Sequence, residues 1–237
     1  LDYNKVFDDK SDYNYDNVPT YLYDDNPWND VQYLFNKDIF IDNTLGVVKY
    51  TLHGQKMPDM DQYSSWAADH PVGKDYVLQN YSAPARCEDQ KEFTEKEAEI
   101  VRHNVEENVL DMVKAHPETT FYFYTPPYSA LWWYKTKCSG NLKRYFQAEQ
   151  LQAELLLQYD NVKLFSFTDL FDLTCDLDNY KDDTHYSEQI SADIMDWIHD
   201  GTYQMTEANY KSRIENMTDY YLHYNYSKSG IPLAQEN

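Results

Sequence analysis

The order of amphipathic helices and short strands between residues 94 and 201 constrains the fold more than any other feature. Capping signals, apolar periodicity and β-branched or aromatic runs mark each segment. The predicted elements are a helix from Thr94 to about His116, a strand over 119–124, a helix from about Asn141 to Tyr159, a strand over 162–167 and a helix from Ser187 to Gly201. Alternating helices and strands imply a parallel sheet covered on both faces.

Two strands are too few for a stable doubly wound sheet. The chain opens on Leu1-Asp2-Tyr3 without an initiator Met. We therefore expect the chain to be the carboxyl-terminal portion of a longer protein whose first strands lie upstream. Residues 1–237 are predicted to form a single α/β domain. A long loop insertion is expected at about residues 54–92, where periodicity disappears; it could be a lid or an ordered surface insertion.

The amino-terminal region and the end of the chain are predicted mainly from proline and apolar spacing. Residues 1–26 are predicted to be loop, and Pro27 suits the first turn of a helix with a possible break near Gly46. A further helix is expected from Thr206.

No apolar stretch approaches the roughly 18 residues of a membrane span.

The charge balance argues against one class of partner. The chain has 20 Lys and Arg against 41 Asp and Glu, a formal net charge of -21. Such a surface repels DNA, RNA and anionic lipid, so no nucleic-acid partner is expected. The three cysteines, Cys87, Cys138 and Cys175, show no metal-binding spacing. One disulfide is possible, but its pairing stays open.

A short segment, Asp182-Asp183-Thr184-His185, lies between the second predicted strand and the helix predicted from Ser187 to Gly201. A carboxylate three residues ahead of a histidine can fix the tautomer of the imidazole and stabilise the imidazolium formed on proton removal. The segment thus predicts a catalytic pair, Asp182 and His185. The alternatives are an ordinary turn capped by Asp182, pairing through Asp183, or a metal site, for which no further ligands have suitable spacing.

A second candidate loop, Thr125-Pro126-Pro127-Tyr128-Ser129, directly follows the first strand. Loops at the carboxyl ends of parallel strands share one edge of the sheet, so we expect this loop near His185. Tyr128, Ser129 and Trp132 are the predicted substrate-binding residues. Ser129 could also be a substitute nucleophile or simply the N-cap of the next helix, which is the stronger interpretation.

Asp182-x-x-His185 followed by a helix resembles the final catalytic block of the SGNH/GDSL hydrolases. The loop over residues 125–129, called the Pro-Pro loop below, resembles the bacterial cell-envelope branch of that superfamily, as do the aromatic insertion at about residues 54–92 and the acidic tail. Proteins of this branch include DltD-type and alginate O-acetylation proteins. The resemblance covers about residues 94–200. It implies a three-layer flavodoxin-like fold, with His185 as general base and Asp182 as its orienting carboxylate.

The family's serine normally lies in a Gly-Asp-Ser or Gly-x-Ser turn, which this chain lacks. Either the serine lies upstream of the chain or the chain is an inactive relative. We favour an upstream serine, because the first strands and the serine belong to the same stretch of such a fold, and we expect the chain alone to be inactive. The resemblance further implies an extracytoplasmic esterase or acyltransferase acting on a polysaccharide or teichoic-acid-like polymer, without a cofactor, and held at the membrane only by a missing amino-terminal anchor. The alternative is a non-catalytic glycan-binding or protein-interaction module of a cell-envelope assembly system.

Overall fold

The structure, a computed structural model, describes residues 20–23, 25–35, 37–54 and 71–234. The chain divides into two compact units, a smaller one over Lys10–Asp69 and a larger one that includes His70–Asn237. Part of the predicted loop insertion, residues 55–70, lies outside the described residues, as do residues 1–19 of the predicted amino-terminal loop.

The described part of the smaller unit contains the helix predicted after Pro27, but its first α-helical piece is short. Helix α1 spans Val31–Leu34, and a π-helical stretch, Asp38–Thr44, runs directly into α2, Leu45–Leu52. The predicted break near Gly46 is wrong, because this residue lies within α2. No residue of α2 is buried, and Phe35 is 70 % exposed.

The larger unit confirms the predicted helices and strands to within a few residues. Its elements, in chain order, are α3 Lys74–Leu78, α4 Glu95–Val105, α5 Asp111–Ala115, β1 Phe121–Thr125, α6 Ala130–Cys138, α7 Leu142–Leu156, β2 Val162–Ser166, α8 Phe171–Thr174, α9 Glu188–Asp200, β3 Gln204–Met205 and α10 Tyr210–His223. A π-helical stretch, Glu106–Leu110, joins α4 to α5. The predicted capping box forms: the Thr94 hydroxyl accepts from the Glu97 amide, and the Glu97 carboxylate accepts from the Thr94 amide.

The sheet has three strands in the order β1-β2-β3. Strands β1 and β2 are parallel, as expected from the predicted parallel sheet, with Phe121 opposite Val162 and Thr125 opposite Ser166. Strand β3 is a two-residue antiparallel strand that the sequence analysis did not anticipate. The described part of the chain is therefore a mixed α/β structure, in which β1 forms one edge of the sheet.

Apolar side chains pack on both faces of β2. On one face, Trp133 of α6 stacks on Phe146 of α7 at 4.9 Å and on Tyr221 of α10 at 4.6 Å between ring centroids. On the other face, the buried Phe165 clusters with Ile190 of α9. Helices thus cover both faces of β2.

A disulfide ties the segment before α4 to the end of α6. Cys87 pairs with Cys138, and Cys175 is a free thiol. The Glu88 amide donates to the Cys138 carbonyl at 2.8 Å and the Lys91 amide donates to the Gly140 carbonyl at 2.7 Å, so backbone hydrogen bonds also hold the residues that follow Cys87 against the end of α6. Among the described residues, none of the helices has the length and apolarity needed to cross a bilayer.

Candidate active site

The Asp182–His185 segment is a turn built around one carboxylate. Oδ1 of Asp182 accepts from the Thr184 amide at 2.8 Å and from the His185 amide at 2.7 Å. The ends of the turn are closed by the Lys181 amide, which donates to the His185 carbonyl at 2.7 Å, and by a β-bridge between Tyr180 and Tyr186. These hydrogen bonds fix the backbone conformation of the turn and therefore the direction in which the His185 side chain projects.

The second oxygen of Asp182 lies against the imidazole. Its Oδ2 is 2.6 Å from Nδ1 of His185. Partial burial alone would raise the pKa of Asp182, but the hydrogen bonds from the His185 amide and ring and from the Thr184 amide outweigh it and hold the pKa below its ordinary value. An ionised carboxylate can only accept, so the neutral form of the ring would hold its proton on Nδ1 and its lone pair on Nε2.

The turn is attached to the Pro-Pro loop by hydrogen bonds on both sides. The Asp183 carbonyl accepts from the Ser129 amide at 3.2 Å and from its hydroxyl at 2.8 Å. The Asp183 carboxylate pairs with Lys135 of α6 at 2.6 Å, and the Tyr180 hydroxyl donates to the Pro127 carbonyl at 2.6 Å. The structure therefore brings the two predicted loops together at the carboxyl edge of the sheet.

Asp183 is engaged in this attachment and does not take the place of Asp182 beside the imidazole. The sequence predicted neither its ion pair with Lys135 nor its contact with Ser129, because it offered Asp183 only as an alternative partner of the imidazole. The ion pair joins residues 48 positions apart in the chain. Periodicity within single helices and strands carries no information about such a pairing.

Ser129 is fully buried, and its hydroxyl caps α6 by accepting from the Trp132 amide at 3.4 Å. The same hydroxyl donates to Asp183. This geometry gives Ser129 a structural role, so its predicted contact with substrate has no support from its position. Tyr128 and Trp132 are only half-buried, and their ring centroids lie 4.9 Å apart. Both rings pack against the hydrophobic core on one side, and they remain predicted substrate-binding residues.

Two tyrosines that the sequence analysis did not single out join this aromatic surface. Tyr124 lies at the end of β1 and is 45 % exposed, and Tyr186 directly follows the candidate base. Burial, together with a hydrogen bond to Tyr124 and the proximity of Tyr128, raises the pKa of Tyr186. The signal that could have identified Tyr124 is its position, because it lies at the carboxyl end of a parallel strand.

Other histidines also lie beside carboxylates, so proximity alone does not define a site. Nδ1 of His199 is 2.9 Å from Oδ1 of Asp200, but both side chains are largely exposed on the last turn of α9. No group of His, Cys, Asp and Glu among the described residues is arranged to hold a metal ion. The Asp182–His185 pair differs from the exposed pair by its fixed turn and its aromatic neighbours.

No protein-family profile, curated protein or solved structure matches this chain.

Proposed function

We propose that this chain is part of an SGNH-type esterase or acyltransferase in which His185 is the general base and Asp182 orients it. The observation that carries the proposal is the 2.6 Å contact between Asp182 Oδ2 and His185 Nδ1 in a turn attached to the Pro-Pro loop. This contact leaves the lone pair on Nε2, the nitrogen that would remove a proton.

The reaction requires a serine that we assign to polypeptide outside these 237 residues. His185 would take the proton of the serine hydroxyl as its Oγ adds to the acyl carbonyl, and would return that proton to the departing alcohol. Water or a hydroxyl of an acceptor polymer would then attack the acyl-serine, with His185 again removing the proton. His185 would then give this proton to the serine Oγ as the bond from Oγ to the acyl carbon breaks, which releases the acid or a new ester and regenerates the serine.

The outer edge of β1 is the place where we propose that the missing strand pairs. Phe121 donates its amide to the Asn161 carbonyl and Thr125 accepts from the Phe167 amide, so these residues face β2. In a parallel ladder the alternate residues, Tyr122 and Tyr124, direct their backbone groups to the other side. A parallel strand added there would end at the same edge as His185 and could deliver the serine to it.

Two observations support a cell-envelope polymer as the substrate. Half-buried tyrosine and tryptophan rings, such as those of Tyr128 and Trp132, suit contacts with sugar rings, because they combine an apolar face with a polar edge. The Cys87–Cys138 disulfide favours an oxidising, extracytoplasmic compartment. We therefore propose an extracytoplasmic polysaccharide or teichoic-acid-like substrate.

Hydrolysis of p-nitrophenyl acetate by the polypeptide of the complete open reading frame tests this function. The variant His185→Ala should lose on the order of 10³-fold in rate or more, because the serine would no longer be deprotonated. His199→Ala is the matched control, since it removes another carboxylate-paired histidine, and should retain the full rate. Equal rates in the parent and His185→Ala would favour the non-catalytic glycan-binding or protein-interaction module instead.

A further inference from the structure

Glu149 is a buried acid that the proposed chemistry does not use. It lies in the middle of α7 and is 6 % exposed. Within the described part of the chain, neither carboxyl oxygen makes a hydrogen bond of normal geometry. A buried carboxylate without donors is costly, whereas the neutral acid is tolerated far better.

The hydroxyls at the ends of β1 and β2 do not satisfy the carboxylate. Thr125 approaches Glu149, but its hydroxyl donates to Ser166 Oγ at 2.8 Å. The Ser166 hydroxyl is in turn directed towards Met217 Sδ at 3.8 Å. Each hydroxyl has a single proton to donate, so Thr125 can give Glu149 no more than a weak contact shared with Ser166.

The charges that face Glu149 come from two other elements. Arg213 of α10 attracts the ionised carboxylate and Asp169, which follows β2, repels it. Arg213 donates two hydrogen bonds of 2.7 Å to the Asp169 carboxylate, from Nε and Nη2. This ion pair largely neutralises the charge of Arg213 locally. Among the described residues, no charged group of α4 or α6, the other helices packed on α7, contributes to the shift of Glu149.

We propose that Glu149 is a proton switch within the fold: the neutral acid packs between α7 and the sheet, and loss of its proton loosens that packing at the carboxyl ends of β1 and β2. This end of the sheet is where the Pro-Pro loop begins, directly after Thr125. The inference depends on burial and hydrogen bonding alone and would stand if the proposed catalytic function failed.

The direction of the pH effect follows from the pKa of the folded state. Burial raises the pKa of Glu149 from an ordinary value of 4.5 to about 7, despite the opposing influence of Thr125 and Arg213. Between these two values the folded protein holds a proton that the unfolded chain releases. The contribution to stability is therefore fully present below the ordinary pKa, decreases as the pH rises towards 7 and is absent above it.

Thermal and urea unfolding from about pH 5 to about pH 9 tests the switch in the protein and in Glu149→Gln. Relative to this variant, the folding equilibrium constant of the parent should decrease on the order of 100-fold across the range. Glu154→Gln, which removes a half-exposed carboxylate on the same helix, should follow the parent. Parallel pH profiles for the parent and Glu149→Gln would overturn the proposal.

If Glu149→Gln does not fold, the proposal can still be tested in the parent protein. The measurement is the pH dependence of the side-chain carboxyl ¹³C chemical shifts by NMR. In the parent protein the resonance of Glu149 should titrate with a midpoint near neutral pH. A midpoint in the range of ordinary glutamates would overturn the proposal as firmly as parallel unfolding profiles.

Discussion

Asp182 divides two tasks between its two oxygens. Oδ1 accepts the backbone amides that shape the turn, and Oδ2 contacts the imidazole of His185. Both side chains are about half exposed, 48 % for Asp182 and 50 % for His185. A pair this exposed contributes no more than about 1 kcal/mol to stability. Its main consequence is therefore the orientation and tautomer of the ring.

The substitution Asp182→Asn tests this division. The Asn oxygen can still accept the amides of the turn, but its NH₂ group would face Nδ1 and donate to it. We expect the neutral His185 ring to change from the Nδ1–H to the Nε2–H tautomer, measured from the ¹⁵N chemical shifts of the ring under mildly alkaline conditions. The control Asp196→Ala, at an exposed position of α9, should leave the shifts unchanged. An unchanged tautomer in Asp182→Asn would contradict the assignment.

Helix α6 links the candidate site to the disulfide at the scale of the secondary-structure elements. Its first turn is capped by Ser129, which holds Asp183, and its last residue is Cys138. Immediately after it, Gly140 adopts a positive φ of 71° and passes close to the backbone of Asp89. The position of the helix is thus defined at both ends by contacts with distant parts of the chain.

The glycine after α6 gives a sharp test of that close approach. A Cβ at Gly140 would lie 2.3 Å from the Asp89 carbonyl oxygen, whereas at Gly201, with φ 73°, the nearest atom is 4.0 Å away. Gly201→Ala should lower the free energy of unfolding by about 1 kcal/mol, because alanine is strained in the left-handed conformation. Gly140→Ala should lower it by roughly 1–3 kcal/mol more, because the backbone at Asp89 must move to make room for the Cβ. Urea unfolding with the disulfide intact measures both, and equal costs would contradict the packing described for Asp89.

Sequence patterns predicted the elements of the larger unit well, because capping and periodicity are local. Long-range features were missed: the sequence does not indicate that Ser129 contacts Asp183, 54 positions later, or that β3 pairs with β2. The burial of Glu149 did leave a signal. It continues the buried helical spacing of Leu142, Phe146, Ala153 and Leu156, so a charged residue there marks an unusual position.

At the scale of the whole molecule, the sheet of the larger unit is asymmetric. Helix α9 packs on β2, whereas Tyr122 and Tyr124 of β1, the edge strand among the described residues, remain about half exposed. An edge strand of this kind is a template for a further strand. This is the position at which we propose that a segment outside the 237 residues pairs and contributes the serine.

Labelling of the polypeptide of the complete open reading frame with a fluorophosphonate probe tests the central claim most directly, because the probe modifies a serine only when a base activates it. We predict that mass spectrometry finds one modified serine, located outside these 237 residues, and that His185→Ala abolishes the adduct while His199→Ala retains it. An unmodified protein, or an adduct that forms equally in His185→Ala, would contradict the claim that His185 is the base of a serine hydrolase.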